Sequence, residues 1–199
     1  MRIVVLASGG IDSSLMMARF LKEGHDVFPL HINYRQLAET REWEACQKVC
    51  EKLSLIPHKM DIQGFGELPS GLTDSEFDVH DDAFLPTRNL TFLVLGSAYA
   101  YTKGSDVVAI GLVANPIFPD QKKDFIEKTE ICVSSALGRE IHILTPLIDL
   151  EKKDILNLAK EFDLSNLTYY CHSGTVPPCG RCISCKERQS AEQLLAGSG

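Results

Sequence analysis

Short apolar runs alternate with longer amphipathic ones from the first residues onward, and this alternation constrains the fold more than any other feature. Residues 2–7 read as a buried strand, and Ser13 to Glu23 as a helix closed by Gly24, a residue suited to a helix C-terminus. Residues 26–32 read as a second strand. Residues 38–53 read as a helix that gathers Trp43, Ala45, Cys46, Val49, Cys50 and Leu53 largely on one face. The pattern continues with a strand at 57–61, a helix at 89–103, a strand at 106–110, a helix at 121–137, a strand at 141–144 and a helix at 151–162. Strand-then-helix order of this kind predicts an α/β fold, a mostly parallel sheet covered on both faces through right-handed crossovers. In such sheets a ligand sits beyond the carboxyl ends of the strands.

At 199 residues the chain suffices for one core with a small appendage, so one main unit is expected over 1–165 and a C-terminal segment over 166–199. A hydrophobic fraction of 44% is ordinary for a globular protein, and no segment approaches the roughly 20 apolar residues of a membrane span. The first residues lack the charged, apolar and small-residue regions of a signal peptide, so a cytoplasmic location is expected. A net charge of −7 argues against broad electrostatic binding to nucleic acid, which needs clustered Lys and Arg. Residues 62–85 show no periodicity and carry the acidic run Asp78-Val79-His80-Asp81-Asp82; a mobile lid is expected there. The closing Ala196-Gly197-Ser198-Gly199 is expected to fray.

The first strand runs straight into Ser8-Gly9-Gly10-Ile11-Asp12-Ser13-Ser14. Two glycines let backbone approach a ligand closely, and the helix that follows offers unpaired amides and a partial positive end. Together these suit phosphate. Ser8, Ser13 and Ser14 supply hydroxyl donors, whereas Asp12 would repel an anion and suits Mg²⁺ instead. The loop has no lysine of the Gly-x-x-x-x-Gly-Lys-Ser/Thr kind. A capped strand-to-helix turn would account for the glycine pair alone. The whole string Ser-Gly-Gly-x-Asp-Ser after a first strand resembles the pyrophosphate loop of the N-type ATP pyrophosphatase family. That resemblance implies cleavage of ATP between its α and β phosphates, with adenylation of a carboxylate, carbonyl or amide oxygen.

Cys46, Cys50 and Cys132 are scattered, but Cys171, Cys179, Cys182 and Cys185 fall within fifteen residues. In a reducing compartment that crowding points to metal rather than to disulfides. Four thiolates close a tetrahedral Zn²⁺ site with no open position, so the metal would be structural. A [4Fe–4S] cluster accepts four thiolates at similar spacing, and a redox-active pair is a further reading. His172, beside Cys171, reads as an ordinary surface or site histidine.

With both motifs in hand, the chain resembles the 7-cyano-7-deazaguanine synthase family over nearly its full length. Two further stretches carry the likeness: Leu85-Pro86-Thr87-Arg88-Asn89-Leu90-Thr91-Phe92-Leu93 and Thr145-Pro146-Leu147-Ile148-Asp149-Leu150-Glu151-Lys152-Lys153-Asp154. The resemblance implies an adenine nucleotide alpha hydrolase-like (Rossmann-like) fold with helices on both faces of the sheet and a small C-terminal zinc segment. It implies Ser8, Asp12, Ser13, Arg88 and Lys152 as catalytic residues. It further places ATP on Leu6, Ala7, Ser8, Gly9, Gly10, Asp12, Ser13 and Ser14 of the loop, on His31, Asn33 and Tyr34 after the second strand, and on Arg88, Asn89 and Gly111. Taken alone, Asn89 suits a helix cap or a purine edge, and Tyr34 suits core packing or the nucleotide base. The implied reaction converts 7-carboxy-7-deazaguanine with ATP, Mg²⁺ and ammonia into an amide and then a nitrile, and relatives are often homodimers.

Two stretches depart from the family's pattern. The family's Tyr-Gly-Gln-Arg-His is replaced by Tyr34-Arg35-Gln36-Leu37-Ala38, and residues 111–125 are shorter and lack its Ser-Gly, Tyr and Cys-Arg. These departures keep open a ligase that passes the activated acyl group to another amine such as a protein N-terminus in antiphage defence. A tRNA thiolase or other relative, and a non-enzymatic zinc-bearing domain, are also kept open.

Overall fold

A computed structural model describes residues 1–197; Ser198 and Gly199, the end of the segment expected to fray, lie outside the described residues. In chain order the elements are β1 (Arg2–Leu6), α1 (Ile11–Lys22), β2 (Asp26–Asn33), α2 (Glu39–Lys52), β3 (His58–Asp61), α3 (Arg88–Thr102), β4 (Val107–Ala109), α4 (Lys123–Leu137), β5 (His142–Leu144), α5 (Lys152–Lys160) and α6 (Ile183–Ala196), with short 3-10 turns at Gln63–Glu67 and Pro119–Gln121.

Among the described residues the strands form one sheet in the order β3-β2-β1-β4-β5, with every neighbouring pair parallel. The crossovers reverse direction between β1 and β4, which opens a crevice at the carboxyl ends. Strand β1, buried from Ile3 to Leu6, sends alternate side chains to opposite faces. Ile3 and Val5 join Leu15, Met17, Val49 and Ile155 under α1, α2 and α5; Val4 and Leu6 join Leu93, Ala100 and Val133 under α3 and α4. The α/β fold with helices on both faces is therefore as the alternation predicts.

Gly24, at φ +80°, ends α1 as expected: His25 N donates to Phe20 O at 2.9 Å and Gly24 N to Leu21 O at 3.0 Å, which together satisfy the last turn's carbonyls. Three expectations need correction. Helix α1 begins at Ile11, not Ser13, so Asp12 and Ser13 lie in its first turn. Helix α3 begins at Arg88, and Asn89 is inside it rather than at its cap; the cap position is Thr87, in the left-handed region at φ +61°. Helix α6 was not expected at all. It packs against α5, and Ala191 joins the α1 side of the main core.

The 62–85 stretch is irregular but anchored. Leu72, Ala83 and Leu85 pack with Tyr34, and Val79 packs among the C-terminal cysteines. No helix among the described residues is long and apolar enough to cross a membrane.

Candidate active site

Beyond Leu6 the chain is held to the sheet by one more bond, Ala7 N to Leu30 O at 2.8 Å, and then turns. Gly9 takes φ +83°, and a Cβ there would stand 2.2 Å from Glu42 O and 2.9 Å from Cys46 N. The glycine is thus required twice, by the turn's handedness and by the backbone of α2 lying against it. Gly10 opens α1, and its carbonyl accepts from Ser14 Oγ at 2.8 Å and Ser13 Oγ at 3.2 Å. Ser8 Oγ accepts from Gly10 N at 3.2 Å and lies 3.4 Å from Ser13 Oγ. The first amides of α1 have no intrahelical acceptors, so the loop presents N–H groups and hydroxyls at a helix start.

This loop forms one wall of a cavity of about 300 Å³ beyond the strand ends. Of the residues singled out in the sequence, the cavity gathers Leu6, Ala7, Ser8, Gly10, Asp12, Ser13, His31, Tyr34, Arg88, Asn89, Gly111 and Lys152. It does not gather Gly9, Ser14 or Asn33. Gly9 is turned against α2, and Ser14 is fully buried. Asn33 is spent on one side chain and one backbone amide: its Nδ2 donates to Asp61 Oδ1 at 2.6 Å and its Oδ1 accepts from Arg35 N at 3.0 Å.

Lys152 is the first residue of α5, and its Nζ donates to both oxygens of Asp12 at 2.7 and 2.8 Å. A lysine at a helix N-terminus opposes the helix dipole. Asp12, in the first turn of α1, has the dipole in its favour, and the pair brings both helix starts to the cavity. Asn89 is fixed by Asp120, its N donating to Asp120 Oδ2 at 3.2 Å and its Nδ2 to Asp120 O at 3.3 Å. His31 Nδ1 lies 2.9 Å from the Ala7 carbonyl, which can only accept, so that nitrogen carries the proton and Nε2 is left as an acceptor without a protein partner. Burial holds the His31 pKa below its ordinary value, so the ring is neutral. The Tyr34 ring packs 5.3 Å from that of Phe92, and burial, outweighing the Arg88 guanidinium, pushes its hydroxyl up to about 12.

Several lining residues were not singled out as site residues in the sequence. Gln36 enters from the loop before α2, Glu42 from its first turn, and Ser184 and Glu187 from α6. His172, left open as a surface or site histidine, lines the cavity; its Nε2 is 2.8 Å from Ser184 Oγ and its Nδ1 is buried without a partner. Burial, then Arg88 and Lys152, push its pKa down to about 4. Burial raises the Glu187 pKa against the pull of Lys152. For α6 the sequence offers only a weak apolar signal, Ala191 and Leu195 at a helical spacing of four. The altered 111–125 stretch forms a further edge of the cavity, where Gln121 Oε1 accepts from Ile117 N at 2.9 Å and Phe118 N at 3.0 Å.

Next to this wall, Cys171, Cys179, Cys182 and Cys185 hold their sulfurs within 4.8 Å of one another. Cys179 and Cys185 are 3.9 Å apart, close to the roughly 3.8 Å edge of a tetrahedron drawn with metal–sulfur bonds of about 2.3 Å. Amides point at the sulfurs as well: Cys179 N at Cys171, Cys182 N at Cys179 and Cys185 N at Cys182, between 3.2 and 3.4 Å. Four soft donors so arranged can hold one metal ion. Cys182 also caps α6.

A family model described as queuosine biosynthesis protein QueC matches residues 2–195. A 7-cyano-7-deazaguanine synthase of Caldicellulosiruptor bescii is 35% identical, covering 96% of this chain and 92% of that protein. One from Nautilia profundicola is 34% identical, covering 94% and 91%. In fold the chain is similar to the structure of NMN synthetase from Francisella tularensis, with a TM-score of 0.56 at 17% identity over 98% of this chain and 76% of that one.

Proposed function

The chain belongs to the family of queuosine biosynthesis protein QueC, and on that premise we propose that it converts 7-carboxy-7-deazaguanine, with ATP and ammonia, into 7-cyano-7-deazaguanine. It is an ATP-dependent enzyme. The observation that most supports the reaction is the convergence of the Ser8–Ser13 loop, Arg88 and Lys152 on one cavity.

A carboxylate resists attack by ammonia because it is anionic, so it must first become a mixed anhydride. One carboxylate oxygen attacks the α-phosphorus of ATP, the bond from that phosphorus to the bridging oxygen breaks, and pyrophosphate leaves. In this reading the loop amides and the hydroxyls of Ser8 and Ser13 hold the departing phosphates, while Arg88 and Lys152 offset their growing charge. Lys152 and Asp12 neutralise each other at rest. Asp12 is the residue of the loop that would hold Mg²⁺, whose charge would help neutralise the pyrophosphate. Ammonia then attacks the acyl carbon, AMP leaves and a proton is lost, giving the amide. A second ATP activates the amide oxygen; loss of AMP and two protons from nitrogen leaves the nitrile.

The same reading assigns a structural Zn²⁺ to the four cysteines, supported by sulfur spacings tighter than those around a cubane cluster, which lies inside its thiolates and holds them apart. It also includes a homodimer, for which exposed Val94, Tyr101 and Ile131 on α3 and α4 offer apolar surface.

Mass spectrometry of a reaction holding the protein, ATP, Mg²⁺, 7-carboxy-7-deazaguanine and ammonia tests the proposal. A product at the mass of the nitrile is expected, and Lys152→Ala should slow pyrophosphate release about 10²–10³-fold. Acylation of a protein amine without nitrile would instead establish a different acceptor.

A further inference from the structure

A carboxylate is costly in the wall of a cavity that must hold a triphosphate, because a second anion repels the first. Glu42 nevertheless lines this cavity from the first turn of α2. Its Oε2 accepts from Gln36 Nε2 at 2.8 Å, and buried Gln36 in turn accepts from Tyr34 N at 3.0 Å. The side chain is therefore held in one orientation. Its other oxygen, Oε1, has no hydrogen-bond partner among the described residues and is open to the cavity. Burial pushes the carboxyl up to about 6, against the pull of the Gln36 bond and of Arg88, so at neutral pH an ionised, half-satisfied carboxylate faces the ligand space. A group that can only accept needs N–H or O–H donors from whatever binds there. Flat apolar walls stand nearby: the rings of Tyr34 and Phe92, with Leu72 and Ala83.

We propose that Glu42 reads the edge of a planar heterocycle that presents two adjacent N–H donors, a ring N–H beside an exocyclic amine, and so sets specificity for a guanine-type base. The inference rests on the synthase reading given above. A guanine edge gives one donor to the free Oε1 and the other to the remaining lone pair of Oε2, which keeps its bond from Gln36. Adenine places one amine beside a bare ring nitrogen, whose lone pair a carboxylate repels. Glu42 thus belongs to the deazaguanine half of the cavity and not to ATP.

Pyrophosphate release is measured for the wild type and Glu42→Gln with 7-carboxy-7-deazaguanine and with its analogue lacking the 2-amino group. The wild type should favour the aminated base by about 10- to 100-fold in kcat/KM, the worth of one hydrogen bond to a charged group. Glu42→Gln should bring that ratio near unity while the KM for ATP stays unchanged. An unchanged ratio, with thermal stability or kcat lowered for both bases alike, marks a purely structural residue and overturns the inference. A raised KM for ATP alone overturns it too, by placing the carboxylate beside the nucleotide. Should Glu42→Gln fail to fold, Glu42→Asp keeps the charge but withdraws it by one methylene: the KM for the deazaguanine should rise and that for ATP should not, and an equal rise in both overturns the inference. A wild type that releases no pyrophosphate with either base overturns the synthase reading itself, whereas turnover with unaltered selectivity in the variants overturns the Glu42 inference alone.

Discussion

Gly9 shows how a single residue ties the loop to the rest of the molecule. Its φ of +83° costs any other residue about 1–2 kcal/mol, and a Cβ would meet the backbone of α2 at Glu42 O and Cys46 N, neither of which can swing away. Gly9→Ala should therefore destabilise the protein by about 2–4 kcal/mol in urea denaturation, since strain and a forced shift of α2 add. Gly64→Ala is the control: nothing lies within 4 Å of that position and its φ is not positive, so stability should change by less than about 0.5 kcal/mol. Equal effects would mean that α2 yields freely at the loop. The glycine pair itself was legible in the sequence because a glycine's freedom is a local property. Glu42, His172 and Glu187 were not, since what marks them is burial, an orphaned nitrogen or a distant cation, none of which leaves a trace in neighbouring residues.

At the scale of elements, the C-terminal cysteines do more than bring four thiols together. Cys182 Sγ accepts from Cys185 N at the cap of α6, while Val79 from the 62–85 stretch packs against the same thiols. Helix α6 then carries Ser184 and Glu187 to the cavity. A metal at the cysteines should thus support one cavity wall from behind, and its binding energy should appear as order in both segments. Chelation at neutral pH is expected to expose residues 62–85 and 171–196 to limited proteolysis while the sheet keeps its protection from hydrogen exchange. Uniform loss of protection would instead make the metal part of the main core's stability. The alternation that revealed the sheet came from short apolar strands, buried most completely in β1, β2 and β4, and helices buried on one face, patterns that residue order alone displays. Helix α6 escaped because it has few apolar residues, Ala191 and Leu195 among those that reach the main core, and the cysteines before it dominate the local pattern. The 62–85 stretch has no periodicity because it packs side chain by side chain against Tyr34 and the thiols, without forming a regular surface of its own.

For the molecule as a whole, a parallel sheet places all its strand ends on one side, and the reversal between β1 and β4 leaves the crevice there. The residues around that crevice come from the β1–α1 loop, the end of β2, the starts of α2, α3, α5 and α6, and the segments 110–121 and 168–172, which are spread across the sequence. A nucleotide bound among them would tie them together and should therefore stabilise the fold by mass action. At a hundred times its dissociation constant ATP contributes about 2.7 kcal/mol. At about 2–4 °C per kcal/mol for a chain of this length, the midpoint of thermal unfolding should rise by about 5–10 °C. AMP at the same concentration lacks the phosphates assigned above by proposal to the Ser8–Ser13 loop, so its shift should be much smaller, and Lys152→Ala should narrow the gap between the two nucleotides. Equal shifts from ATP and AMP in the wild type would mean that the loop is not the anchor and that affinity resides in the apolar walls alone.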